Sequence, residues 1–152
     1  MDNERGFSLI ELIIALVILA VLTGIAIPVY VSMKPSLCLS GATRQIMGDL
    51  MWARMQAVSQ NNQFKIFFLD DNRRYKILDD DNNNGNIDNG ELTVIKDIQD
   101  KYRDVTFIST NDPVFHPRGN ASNLPVITIT NSHGTKKVEV IITGQVKQVK
   151  TE

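Results

Sequence analysis

Residues 7–31, FSLIELIIALVILAVLTGIAIPVYV, constrain this chain more than any other segment. From Leu12 to Ile27 there is no charge, and only Thr23 is polar. A helix from Phe7 to Ala26 spans roughly 30 Å, the hydrocarbon thickness of a bilayer. A helix apolar on every face needs either lipid or a large protein around it. The 152 residues amount to one ordinary domain plus an appendage. A cleaved secretory signal is the competing reading. Against it, the run exceeds the usual ~7–15-residue apolar region and no clear small-x-small site follows. Membrane insertion is therefore expected. Glu11 breaks the pattern near the start of the run. A carboxylate in a spanning helix costs about 2.5–3.5 kcal/mol at the centre and less near an end. Glu11 either reaches the headgroups or meets a cation supplied by another chain.

Arg5-Gly6-Phe7-Ser8-Leu9-Ile10-Glu11, followed by an unbroken apolar helix, closely resembles the type IV prepilin signature of type IV pilins and type II secretion pseudopilins. The resemblance implies cleavage between Gly6 and Phe7 by a prepilin peptidase and N-methylation of Phe7. It implies that Glu11 neutralises the N-terminal amine of a neighbouring subunit during assembly on an inner-membrane platform, with other pilins or pseudopilins as partners. It also implies a single-pass inner-membrane protein, N-terminus cytoplasmic and C-terminal domain periplasmic. Lys/Arg bias alone does not fix that orientation, because the leader holds only Arg5. Pro28 matches the point where the family's long helix is kinked or melted. Pro removes a backbone donor and clashes with the preceding turn, and Thr23-Gly24 weakens the helix further.

Beyond the apolar run, Pro35 and Ser36 are expected to interrupt or restart the helix. From Leu37 to Asn62 the pattern is amphipathic. Ile46 and Leu50, with Met47, Met51, Met55 and Val58, recur at three- and four-residue steps. That Met-rich stripe is expected to lie on a sheet as core, and Asn61-Asn62 to form the exit. After residue 62 the period becomes two. Strands are expected at Phe64–Leu69, Tyr75–Leu78, Leu92–Ile98, Val105–Ile108, Val126–Thr130, Lys137–Thr143 and Val146–Val149, with a turn at Asp71-Asn72. The fold class is thus α+β: a long N-terminal helix packed on a C-terminal antiparallel β domain of two small sheets. Four segments follow: a leader (1–6), a transmembrane half of the helix (7–31), an amphipathic soluble half (32–62) and a periplasmic β-rich domain (63–152).

Three further stretches resemble motifs of GspH/FimT-type minor pseudopilins: Leu50 to Val58 followed by Asn61, Phe115-His116-Pro117-Arg118-Gly119, and Thr143-Gly144-Gln145-Val146-Lys147. With the N-terminal signature they imply a structural filament subunit, not an enzyme. The residues agree, since the chain has no Gly-rich phosphate loop and no nucleophile elbow, and one cysteine and two histidines exclude Cys-rich or multi-His metal chemistry. The FimT branch raises DNA uptake as an alternative. Net charge is −1, and Lys136, Lys137, Lys147 and Lys150 make a thin patch without the arginines of the DNA-binding variants. Nucleic acid is not the expected partner.

Residues 80–91 fit D-x-[DN]-x-[DN]-G-x₅-E, the calcium loop of EF-hands. Alternate oxygens at Asp80, Asn82 and Asn84 would converge on a Ca²⁺ ion. Asn86 would offer its carbonyl, Asp88 a direct or water-mediated contact, and Glu91 a bidentate closure. Gly85 permits the sharp turn. Strand-like flanks make this the loop without the EF-hand fold. The competing reading is a solvated Asn/Asp/Gly-rich hairpin. Residues 70–104 carry ten acidic against six basic side chains, which favours a bound, structural cation.

Overall fold

The computed structural model describes residues 7–149. The carbonyl of Ser8 accepts the backbone N–H groups of Glu11 and Leu12 at 3.1 and 3.2 Å and opens a helix, α1, over Leu9–Gln60. Contacts divide the chain into two units, 1–34 and 35–152. In the first, the helix is exposed throughout its described length and is long and apolar enough to cross a membrane. Thr23 folds its hydroxyl back onto the carbonyls of Leu19 and Ala20, at 2.9 and 3.0 Å, so the helix itself satisfies that polar group. Helical structure continues through both Pro28 and Pro35. The expected interruption at Pro35-Ser36 and the melted stretch at Pro28 are therefore absent. A proline removes one hydrogen bond, and the helical run around it is long enough to retain the rest.

In the second unit, α1 buries Leu39, Ala42, Thr43, Ile46, Leu50, Ala53 and Ala57. Small residues on this face let the sheets approach closely, while Leu39, Ile46 and Leu50 each contribute roughly 1.5–3 kcal/mol by burial. Only part of the expected stripe is core: Ile46 and Leu50 are buried and Met47 packs against them, but Met51, Met55 and Val58 are 56, 60 and 51% exposed. Periodicity found an apolar helix with two apolar faces, and the aliphatic–alanine face won the sheets. The exit is as expected. Asn61 takes φ +56°, and Asn62 N–H reaches back to the Ala57 carbonyl at 3.1 Å, a left-handed C-terminal cap.

Among the described residues nine strands follow: β1 (Gln63–Phe68), β2 (Arg74–Asp80), β3 (Thr93–Asp97), β4 (Thr106–Ser109), β5 (Val114–Phe115), β6 (Ala121–Ser122), β7 (Val126–Asn131), β8 (Gly134–Val140) and β9 (Val146–Val149). They form two antiparallel sheets, ordered β3-β2-β1-β5-β6 and β4-β7-β8-β9. All seven expected strands are present within a few residues. The two-residue strands β5 and β6 were beyond the reach of a period-two signal. Phe68 and Tyr75 of the first sheet meet Phe107 of the second with ring centroids 5.4 and 5.9 Å away. The Asn72 carbonyl accepts Phe107 N–H at 2.8 Å, so the β1–β2 turn fastens the two sheets. Cys38 packs partly buried against this core.

Candidate functional site

Three places carry the residues singled out by sequence. The first is the start of α1. Gly6 lies outside the described residues. Phe7 is 86% exposed just before the helix, and Glu11 is exposed in its first turn. Among the described residues the Glu11 carboxylate has no hydrogen-bond or ion-pair partner.

The second place is a knot that joins all three of the GspH/FimT-like motifs. Arg54 donates from Nε to the Gly119 carbonyl at 2.8 Å and from Nη2 to the Thr143 carbonyl at 3.2 Å. One guanidinium thus clamps the β5–β6 loop and the β8–β9 turn onto α1. Gly144 is buried at φ +73°, and a Cβ there would lie 2.6 Å from Arg54 Nε and collide with the Gly119 carbonyl. The spacing of Arg54 on a helix gave no hint of this role. Within the β5–β6 loop, His116 Nε2 and Ser122 Oγ are 2.9 Å apart, and Gly119 N–H donates to the His116 carbonyl at 2.8 Å. His116 thus serves the turn.

A second polar cluster was not foreseen. Asp49 on α1 accepts from the Tyr75 hydroxyl and from Lys96 Nζ. Burial, with Asp49 beside it, pushes the Tyr75 hydroxyl well above the ordinary tyrosine range. The group locks α1 to the first sheet.

The third place is the β2–β3 connection. Asp80 is fully buried; one oxygen accepts Asn84 N–H at 3.0 Å and the other Gly85 N–H at 2.7 Å. Gly85 takes φ +75°, the left-handed turn its position requires. Asn82 and Asn84 both donate to one Asp88 oxygen, at 2.7 and 2.6 Å, and hold that carboxyl below its usual range. Asn84 Oδ1 accepts Asn86 N–H at 2.6 Å. Glu91 accepts Asp88 N–H at 2.9 Å through Oε2, while Oε1 is buried without a partner. Asn62, next to the helix cap, donates to Asp79 at 2.7 Å and to Asp81 at 3.0 Å. Burial and the carboxylates of Asp81, Glu91 and Asp80 raise Asp79 above the ordinary range, against that hydrogen bond from Asn62. The loop therefore gathers Asp80, Asn82, Asn84, Asn86, Asp88 and Glu91 on one short segment. Among the described residues, however, no three acidic, histidine or cysteine side chains already converge as a metal-binding group.

A long N-terminal helix with two antiparallel sheets is the pilin-type fold. The chain belongs to the GspH family: the family model described as type II transport protein GspH matches residues 42–145, and a prokaryotic N-terminal methylation motif matches residues 1–27. Comparison with curated proteins finds no significant match. Among solved structures the fold is similar to the type IV minor pilin FimU of Pseudomonas aeruginosa, at 19% identity and TM-score 0.58, covering 74% of this chain and 88% of that one. It is also similar to the minor pseudopilin EpsH from the type 2 secretion system of Vibrio cholerae, at 12% identity and TM-score 0.54, covering 70% and 91%. At these identities the two structures speak for the fold alone.

Proposed function

We propose that the chain is a minor subunit of a type II secretion pseudopilus or a type IV pilus-like filament, inserted in the inner membrane with its β domain in the periplasm. The observation that carries this reading is Glu11, an exposed carboxylate in the first turn of an apolar helix, within a matched methylation motif. Prepilin peptidase cuts between Gly6 and Phe7, Phe7 is methylated, and the new amine of one subunit pairs with Glu11 of another. Cross-linking in native membranes, then pull-down and mass spectrometry, checks this. Pseudopilin neighbours assign the chain to a secretion pseudopilus; a major pilin and its platform assign it to a pilus. A mature N-terminus other than methylated Phe7, with neither set of neighbours, would overturn the reading.

Two features weigh against DNA uptake. Lys136 Nζ is engaged by Ser40 Oγ at 2.9 Å, and Lys147 stands opposite Glu139 in the β8–β9 register. Lys150 lies outside the described residues. Retention on a DNA column that salt abolishes would replace the filament-only reading.

We further propose that the β2–β3 loop holds a structural Ca²⁺. Supporting this, Glu91 Oε1 is buried without a donor, and each Asp80 oxygen keeps a second lone pair beyond its backbone bond. Bound Ca²⁺ would supply the charge that this acidic segment lacks. Sites of the extracellular class bind at about 10⁻⁴–10⁻³ M. At roughly ten times Kd, binding stabilises by about 1.4 kcal/mol. The full-length chain in detergent should therefore melt a few degrees higher in millimolar calcium than in chelator. Glu91→Gln should remove that gap; equal melting in both conditions refutes the site.

A further inference from the structure

The exposed methionine ridge of α1 forms one wall of an open groove of about 800 Å³. Met51, Trp52, Met55 and Val58 line the helix side; Val146 and Lys147, at the start of β9, line the other. β9 is the last strand of its sheet and, among the described residues, pairs with β8 alone, so it leaves a sheet edge open beside the groove that Val146 and Lys147 line. An apolar floor beside an open strand edge suits an extended segment: the edge supplies main-chain hydrogen bonds, and the floor takes alternate side chains. The wall is held in place beforehand, because Arg54 pins the turn that carries Gly144. Methionine gives the floor adaptability to different side chains.

Charge narrows the occupant. The groove lining includes Arg54 and Lys147 and no carboxylate. The two Arg54 bonds to carbonyls use two of its five N–H donors. A carboxylate on the incoming segment would find the remaining Arg54 donors and the Lys147 ammonium, which forms no ion pair among the described residues although Glu139 stands opposite it in the register. The filament reading supplies neighbours with β domains, and on that reading we propose that this groove receives an extended segment, apolar with an adjacent carboxylate, from the β domain of a neighbouring pilin-type subunit. The segment adds a strand to β9 and seats its apolar side chains on Met51 and Met55.

A photo-cross-linking amino acid placed at Met55 of the full-length chain, in native membranes with its partners present, tests this. The same group at Ile95, which is 58% exposed on β3 of the other sheet, is the reference. The expected result is an adduct at Met55 whose partner peptide comes from the β domain of a pilin-type subunit and holds Asp or Glu beside apolar residues. Lys147→Glu should lower that adduct about tenfold, the effect of losing roughly 1.4 kcal/mol of attraction, and Lys147→Arg should keep it. Lys147 is exposed, so an unchanged melt confirms that the variants are folded. Pilin-type adducts at Ile95 with none at Met55 overturn the groove and leave the filament reading intact. No pilin-type adduct at either position, together with none in the pull-down, overturns the filament reading itself. Adducts at Met55 to a membrane helix, to a second copy of this chain or to lipid, or an adduct indifferent to Lys147→Glu, also overturn the groove assignment.

Discussion

Gly144→Ala is expected to destabilise the β domain by about 2–5 kcal/mol. A side chain in the left-handed region costs about 1–2 kcal/mol. The added methyl group would sit 2.6 Å from Arg54 Nε, so the guanidinium has to leave. Its departure strands the carbonyl of buried Gly119, worth a further ~1–3 kcal/mol. For a domain of this size the melting temperature should fall by roughly 10 °C or more. The chain has one tryptophan, Trp52, packed edge-on to Phe64 with centroids 6.1 Å apart, so its fluorescence reports the melt. Arg54→Ala should lose the same carbonyl bonds, and the double variant should therefore be less unstable than the two single losses added together. Strict additivity, or a Gly144→Ala chain that melts with the parent, would show that the knot is not a unit.

Glu11→Leu should leave the chain in the membrane and exclude it from the filament. Removing the carboxylate lowers the cost of insertion, by less than the ~2.5–3.5 kcal/mol of a mid-helix charge because Glu11 stands in the first turn. Insertion therefore cannot be what suffers. On the proposed assembly, what disappears is the counter-charge for a neighbour's amine. Glu11→Gln keeps the size and polarity and discards the charge, so it should fail nearly as completely as leucine. The measurement is the share of the protein recovered with sheared or cross-linked filaments relative to the membrane fraction. Parental recovery of both variants would remove Glu11 from assembly.

The fold was largely legible because most elements carry a period of their own. The switch at Asn61-Asn62 from helical steps to alternation marks a real boundary, and Asn61 reveals why: it tolerates the left-handed cap. Two misjudgements share one cause. Composition says that Met51, Met55 and Val58 are apolar but not which of two apolar faces meets a sheet; alanines at 42, 53 and 57 decided it by fitting closer. Likewise, a proline at 35 reads as a stop because local sequence does not record the long helix on either side. The knot was only half visible. Its three motifs could be quoted as separate family-like stretches, but that Arg54 reaches both loops is a three-dimensional fact. The Asp49–Tyr75–Lys96 cluster left no trace, since a lone charge on a helix looks solvated until a strand supplies its partners.

The ties between α1 and the end of the chain have a kinetic consequence. Arg54 reaches Gly119 and Thr143 across 65 and 89 residues, and Pro35 and Ser40 are bonded to Asn131 and Lys136, each 96 residues away. Contacts of such separation form slowly, because a large loop has to close before they reward it. During synthesis the helix emerges first, and its apolar ridge waits for strands made much later. Until residue 143 is out, Arg54 cannot fasten the β8–β9 turn to the helix. An incomplete chain would therefore present its buried alanine–leucine face and its methionine ridge together, the state most open to proteases and to premature self-association.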